Sequence, residues 1–250
     1  MNAAVILDVD GTLVDSNDAH AHAWVEALAE AGITVDYDKV RRSIGMGGDK
    51  LMPAVAGIEE SSPLGQRIAA RRGEIFKSAY LPAIRPFPST RELLERFIAD
   101  GFVLSVASSA AEDELQLLLE QAGVADLIPH RTSSDDAEHS KPDPDIVQAA
   151  LREAAVEKSH AIMLGDTPYD VEAAGRAGIT IVGLECGGWP REALTGALAV
   201  YRDPTDLLVH YEKSPFAGLR QRIRQETQNS EVRTMNTGRP EKLRTQKYEL

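Results

Sequence analysis

The sequence predicts an α/β fold: a doubly wound parallel sheet with a small all-helical insertion directly after its first strand. Two observations carry this. From about residue 89 onward, short apolar runs alternate with helix-patterned segments, which is how parallel strands joined by right-handed crossovers read. The stretch from 16 to 84 interrupts that alternation with helical pattern alone.

The elements follow in order. AAVIL, residues 3–7, is short, partly β-branched and followed by the turn-rich DVDGT, so it reads as a buried strand. Residues 16–31 recur helically through Ala19, Ala23, Leu28 and Ala31 and stop at Gly32. From about 36 to 84 the pattern stays helical, with glycine breaks at 45–48. Ser89 to Glu92 and Ser109 to Glu112 match capping boxes, each placed to open a helix. FVLSVAS (102–108), LIPHRTS (127–133), AIMLG (161–165), ITIVGL (179–184) and ALAVY (197–201) read as strands. Helices are expected from Pro144 to about Ala155 and from Pro168 to Ala177, the latter closed by Gly178. The core is thus 1–15 and 85–213, the insertion 16–84, and 214–250 a polar tail. In that tail FAGLRQRIRQETQ can form one helix, and TMNTGRPEKLRTQKYEL is expected to stay disordered.

Composition narrows the function. The 250 residues carry a net charge of −12 and are 43% apolar, which is ordinary globular composition. Residues 213–250 hold nine Lys and Arg against four Glu, a net +5, which leaves −17 for the rest. A body this acidic is a poor general partner for nucleic acid, whose affinity rests on phosphate contacts. Any phosphate chemistry therefore calls for a local site with a metal. No apolar run reaches the ~18–20 residues of a membrane helix. The start has no basic segment and meets Asp at position 8, unlike a secretory signal. With Cys186 alone an intrachain disulfide is impossible, which suits a reducing compartment. A cytoplasmic location is expected, with no membrane or nucleic-acid partner, as a monomer or homodimer.

Sheets of this kind bind ligands beyond the carboxyl ends of their strands, and that is where the acids fall. Asp8 and Asp10 directly follow the first strand; Asp166 follows AIMLG, with Asp170 one helical turn later. If those two strands are neighbours, four carboxylates converge and need a cation. Oxygen-only donors favour Mg²⁺. Taken singly, each Asp reads equally well as a turn or helix cap; two such groups, each directly after an apolar strand, do not. Ser108 ends FVLSVAS and Ser109 opens the next helix, a hydroxyl beside helix N-terminal amides that suits an anion. Lys141 lies in a stiff HSKPDP turn and suits a phosphate.

DVDGTLVDS, VASS, KPDP and GDTPYD, in this order, resemble the four motifs of the haloacid dehalogenase superfamily, most of which are phosphatases and phosphomutases. The likeness spans residues 5 to about 205 and implies a Rossmann-like core. The place of the insertion resembles members with a helical cap, such as phosphoglycolate phosphatases and beta-phosphoglucomutases. The resemblance implies Asp8 as nucleophile forming an aspartyl-phosphate, and Asp10 as general acid and base with its carbonyl on Mg²⁺. It implies Ser108 and Lys141 as phosphate ligands, beside which Ser109 stays a candidate that a simple N-cap would also explain, and Asp166 and Asp170 as metal ligands, the latter directly or through waters. The expected activity is Mg²⁺-dependent hydrolysis of a small phosphorylated metabolite, phosphoglycolate- or sugar-phosphate-like.

A phosphosugar mutase of the beta-phosphoglucomutase type is the alternative; it needs a basic grip on a distal phosphate, for which Arg41, Arg42 and Lys50 are candidates. A 2-haloacid dehalogenase uses one aspartate and no metal, which Asp10 and GDTPYD argue against. A non-catalytic binding protein would not need the complete motifs. In the insertion, GMGGDK at 45–50 reads either as an interhelical turn or as a loop whose bare backbone meets substrate, with Lys50 reaching a distal anion. It is no Walker A motif, because the spacing is wrong and Leu51 replaces Ser or Thr. His20 and Ser16 occupy positions resembling those of the phosphoglucomutase type. His22, two residues on, faces elsewhere and reads as a solvated histidine, and Cys186 as a small packing residue.

Overall fold

The computed structural model describes residues 3–237. Its centre is a six-stranded, wholly parallel sheet in the order β3-β2-β1-β4-β5-β6. The strands are β1 (Ala3–Leu7), β2 (Phe102–Ala107), β3 (His130–Thr132), β4 (Ala161–Gly165), β5 (Thr180–Leu184) and β6 (Ala199–Tyr201). Each lies within the run expected for it. β1 is buried along its whole length, and its residues alternate between two cores as the two-residue period requires. Ala3, Val5 and Leu7 join one core, and Ala4 and Ile6 the other. Burying side chains the size of Ile6 and Leu7 contributes about 1.5–3 kcal/mol each.

The crossovers are α5 (Thr90–Ala99), α6 (Glu112–Gln121), α7 (Asp145–Glu153) and α8 (Pro168–Ala177), followed by α9 (Pro204–Val209) and α10 (Pro215–Thr237). Between β1 and α5 run α1 (Asn17–Glu30), α2 (Tyr37–Arg41), α3 (Gly48–Ala56) and α4 (Pro63–Ile75), then a π turn at Phe76–Tyr80 and a 3₁₀ turn at Leu81–Ala83. The chain leaves and re-enters the core at adjacent points: Asp15 N donates to Arg85 O (3.0 Å) and Phe87 N to Leu13 O (3.0 Å).

Three local expectations are corrected. Ser89 sits at φ 62°, in the left-handed region, and its side chain caps nothing. α6 begins at Glu112 behind Ala111, so Ser109 is no N-cap; its hydroxyl instead reaches Gly45 O at 3.2 Å. The tail expected from 214 is core at its start. Phe216, Leu219 and Ile223 lie on one face of α10 and are buried, with Phe216 against Phe97 at 4.6 Å between ring centres. Helix continues to Thr237, which takes in the first four residues expected to be disordered; the rest, 238–250, lie outside the described residues. No helix among the described residues is long and apolar enough to cross a membrane.

Candidate active site

The strand order places the site. β1 pairs with β2 on one side and β4 on the other, Leu7 standing opposite both Val106 and Leu164. The crossovers diverge to either side of β1, so this is where a doubly wound sheet opens a crevice. Asp8 and Asp166, each just past its strand, therefore emerge side by side. Asp170 reaches them from the first turn of α8, where a capping box fixes it. Thr167 Oγ1 accepts from Asp170 N (3.2 Å), and Asp170 Oδ2 accepts from Thr167 N (3.0 Å). Asp8, Asp166 and Asp170 are all buried, with oxygens within 4.8 Å of one another.

Lys141 is the one cation in direct contact with this trio among the described residues. It is 1% exposed; its Nζ stands 2.6 Å from Asp8 Oδ1 and 2.8 Å from Asp170 Oδ1. Thr12 Oγ1 lies between the other two acids, 2.8 Å from Asp8 Oδ2 and 3.0 Å from Asp166 Oδ1. Burial pushes the Asp8 carboxyl up to about 7; Asp170 and Asp10 add to the rise and Lys141 opposes it. Burial likewise raises Asp166 well above the usual carboxylate range, reinforced by Asp8 and Asp170. Three carboxylates against one ammonium leave excess negative charge in a buried pocket of hard oxygen donors, and that donor set fits a divalent cation such as Mg²⁺.

Asp10 differs. Burial works against its ionised form, but His20, Ser16 and Arg72 outweigh it and hold the carboxyl below its ordinary value. Its Oδ1 takes the Ser16 hydroxyl at 2.5 Å and His20 Nε2 at 2.8 Å. Both partners come from the start of the insertion, where Ser16 gives up capping α1 to make this bond. His20 is in turn stacked on Phe76 of the π turn, centroids 4.0 Å apart. Oδ2 of Asp10 has no hydrogen-bond partner among the described residues.

The phosphate-binding candidates divide. Ser108 is buried, and its Oγ accepts from Ala110 N at 3.1 Å. Ser109 lines a small cavity, about 40 Å³, together with Asp8, Asp10, His20 and Arg72. Lys50 is turned away: its Nζ pairs with Asp143 at 2.5 Å, so a distal anion would have to displace a carboxylate to reach it. Arg41 is also engaged, by Asp18 at 2.5 Å and Gly187 O at 2.7 Å. Of the GMGGDK segment, Gly47 docks on the core through Ser140 Oγ (3.0 Å), and Gly48 to Lys50 form the first turn of α3. His22 is exposed beside Tyr37, and Cys186 Sγ lies 3.3 Å from Gly11 O.

Several residues here carry no sequence signal of their role. Asn17 Nδ2 bonds both Asp166 Oδ2 and Gly187 O, each at 3.0 Å. Gly11 and Gly187 crowd that carboxylate: a Cβ on Gly187 would lie 1.6 Å from Asp166 Oδ2, so any side chain there would have to displace the carboxylate from Thr12 and Asn17. Arg72 of α4 binds both Glu114 oxygens at 2.8 Å and lies 5.0 Å over the Trp24 ring. Of these, Gly11 alone stood inside a recognisable motif, DVDGT, beside Thr12.

Comparison with known proteins agrees with this geometry. Residues 5–184 match the family model described as haloacid dehalogenase-like hydrolase. A phosphoglycolate phosphatase of Rhodospirillum rubrum is 34% identical over 213 residues, covering 81% of this chain and 88% of its own. The validoxylamine A 7'-phosphate phosphatase of Streptomyces hygroscopicus subsp. limoneus is 30% identical over 210 residues, 83% of this chain and 96% of its own. The crystal structure of a hydrolase from Pseudomonas syringae superposes with a TM-score of 0.78 at 30% identity, covering 85% of this chain and 99% of that one. The motif order, the parallel sheet with its acids at the central crevice, and these likenesses agree: the chain belongs to the haloacid dehalogenase-like hydrolase family and is an enzyme of its phosphatase type.

Proposed function

We propose that the enzyme hydrolyses a small phosphomonoester, phosphoglycolate- or sugar-phosphate-like, through a phosphoryl group carried on Asp8. The observation that carries this reading is the setting of Asp8: one oxygen on Lys141, the other on Thr12, with Asp10 two residues away. Both oxygens are held, so the carboxylate is oriented before substrate arrives. In the first step an Asp8 oxygen bonds to phosphorus, the bond to the leaving oxygen breaks, and Asp10 gives that oxygen the proton it took from water at the end of the preceding turnover. In the second, Asp10 takes a proton from water as the water oxygen bonds to phosphorus, and the bond to Asp8 breaks to release inorganic phosphate. Lys141 offsets repulsion between an anionic nucleophile and an anionic ester. Ser16 and His20 keep Asp10 Oδ2 aimed at the leaving oxygen.

Asp8, Asp166, Asp170 and the Asp10 carbonyl would hold Mg²⁺, which supplies further neutralisation of the phosphoryl charge when bound. Residues 16–84 act as the lid that excludes water from transfer. The test is hydrolysis of p-nitrophenyl phosphate by the purified chain with Mg²⁺, beside Asp8→Asn. Turnover should be lost in the variant, with an unchanged far-UV circular dichroism spectrum. Appreciable residual turnover, or a labelled phosphoenzyme on the variant, would remove Asp8 from this role.

A further inference from the structure

Resting on the phosphatase reading, and choosing its sugar-phosphate-like over its phosphoglycolate-like alternative, we infer that the leaving group is a polyhydroxylated moiety bearing an amino group, in preference to one bearing a carboxylate or a second phosphate. The argument is the charge of the room that receives it. A cavity of about 460 Å³ adjoins the small one at Asp8 and Asp10 and shares Trp24, Arg72, Ser109 and Glu114 with it. Its size is that of an ordinary small-molecule site. A phosphate seated at Asp8 has this as the adjoining space for the rest of its ester.

The walls carry six carboxylates: Asp49, Glu60, Asp113, Glu114, Asp135 and Glu138. They carry two cations, and both are spent. Arg72 is paired with Glu114 at 2.8 Å and Lys77 with Asp113 at 2.7 Å. That leaves Asp49, Glu60, Asp135 and Glu138. Asp49 is anchored by Ser140, whose hydroxyl donates to its Oδ1, and Asp135 Oδ2 accepts from Glu112 N at 3.2 Å. These bonds fix the carboxylates in place without cancelling their charge. Glu60 and Glu138 form no ion pair among the described residues.

Burial, and then Asp49, raise the Glu60 carboxyl against the opposing pull of Arg72, so negative charge is already disfavoured at this point of the wall. A carboxylate or phosphate entering beside it meets like charge in a partly enclosed space, and an ammonium meets the opposite. The hydroxyls of a sugar-like group find acceptors in the same carboxylates. The wall is not a metal site in disguise. Among the described residues only Asp8, Asp166 and Asp170 close to metal-ligand spacing.

The test compares glucosamine 6-phosphate, glucose 6-phosphate and 6-phosphogluconate at low ionic strength, with p-nitrophenyl phosphate as the reference. kcat/KM should fall in that order, by at least about tenfold from the amine to the carboxylate. Glu60→Gln combined with Glu138→Gln should narrow that ratio at least about threefold. Titration calorimetry of the same three esters with Asp8→Asn and Mg²⁺ should give the same order without turnover. Equal or better use of 6-phosphogluconate than of glucose 6-phosphate overturns the inference. So does an amine no better than the neutral sugar, or a ratio unmoved by the double variant. If wild type fails on p-nitrophenyl phosphate the phosphatase reading falls, and the binding order still decides this one.

Discussion

Lys141 Nζ stands 2.6 Å from Asp8 Oδ1, and the same ammonium stands 2.8 Å from Asp170. One buried cation thus serves two buried carboxylates, one just past β1 and the other in the first turn of α8. Burial disfavours its charge, but the two carboxylates more than compensate and raise its pKa. Lys141→Ala should then leave three buried acids facing one another. Breaking a buried pair in this way typically costs about 3–5 kcal/mol. Urea unfolding in EDTA should read a loss of that order, and Mg²⁺ should restore part of it. A variant as stable as wild type without metal would mean that the acids are not mutually repelling.

The Asp8 carboxyl gives a pH dependence whose sign is fixed. In the metal-free fold it keeps its proton up to about 7, whereas its unperturbed value is 3.8. Between those values the native state holds more protons than the unfolded chain. Raising the pH therefore destabilises it, by at most about 1.4 kcal/mol per unit for one group. Asn cannot titrate. The stability of Asp8→Asn minus that of wild type, from urea melts in EDTA, should grow from pH 4 to 7 and level off above. A difference that shrinks over this range contradicts the buried, proton-holding Asp8.

Asn17 touches Asp166, a proposed metal ligand, and no reacting atom, so the role it would have is to position that ligand. Loss of such an outer bond to a metal ligand typically weakens metal affinity 10–100-fold. Asn17→Ala should raise the Mg²⁺ concentration for half-maximal activity by about that factor and leave kcat at saturating Mg²⁺ within about threefold. An unchanged Mg²⁺ requirement would reduce the Asn17 bond to packing.

Asp10→Asn should separate substrates by their leaving groups. General acid–base groups contribute typically ~10²–10⁴-fold. The loss should approach the upper end for an alkyl phosphate, which needs a proton, and be smaller for p-nitrophenyl phosphate, which does not. Equal losses for the two esters would assign Asp10 to some other task.

What the sequence made legible, and what it hid, divides by range. The central strands are legible because a strand buried on both faces is an unbroken apolar run, as AAVIL and AIMLG are. The acids at their ends follow from chain position alone. Hidden were the choices that tertiary contacts make. Ser109 has the spacing of a capping box, yet its hydroxyl goes to Gly45 O, across to the insertion. Lys50 has the right charge for an anion, but Asp143, 93 residues away in sequence, takes it first. Arg72 lies in an ordinary basic helix face, and only the fold sets it over Trp24. The start of α10 was readable: Phe216, Leu219 and Ile223 recur at helical spacing, but a tail-wide average of composition drowned those three residues.

The hydroxyl of Thr12 has one hydrogen to give, and two carboxylates, Asp8 at 2.8 Å and Asp166 at 3.0 Å, stand ready to take it. It can satisfy one. The other contact becomes a hydrogen bond only if that acid donates to the Thr12 oxygen. A proton held there is one that a divalent cation, on binding the same oxygens, would have to displace. Calorimetric titration with Mg²⁺ near pH 6.5 should accordingly give an apparent enthalpy that scales with the ionisation enthalpy of the buffer. Metal loading would then depend on the acidity of the surroundings through this single threonine.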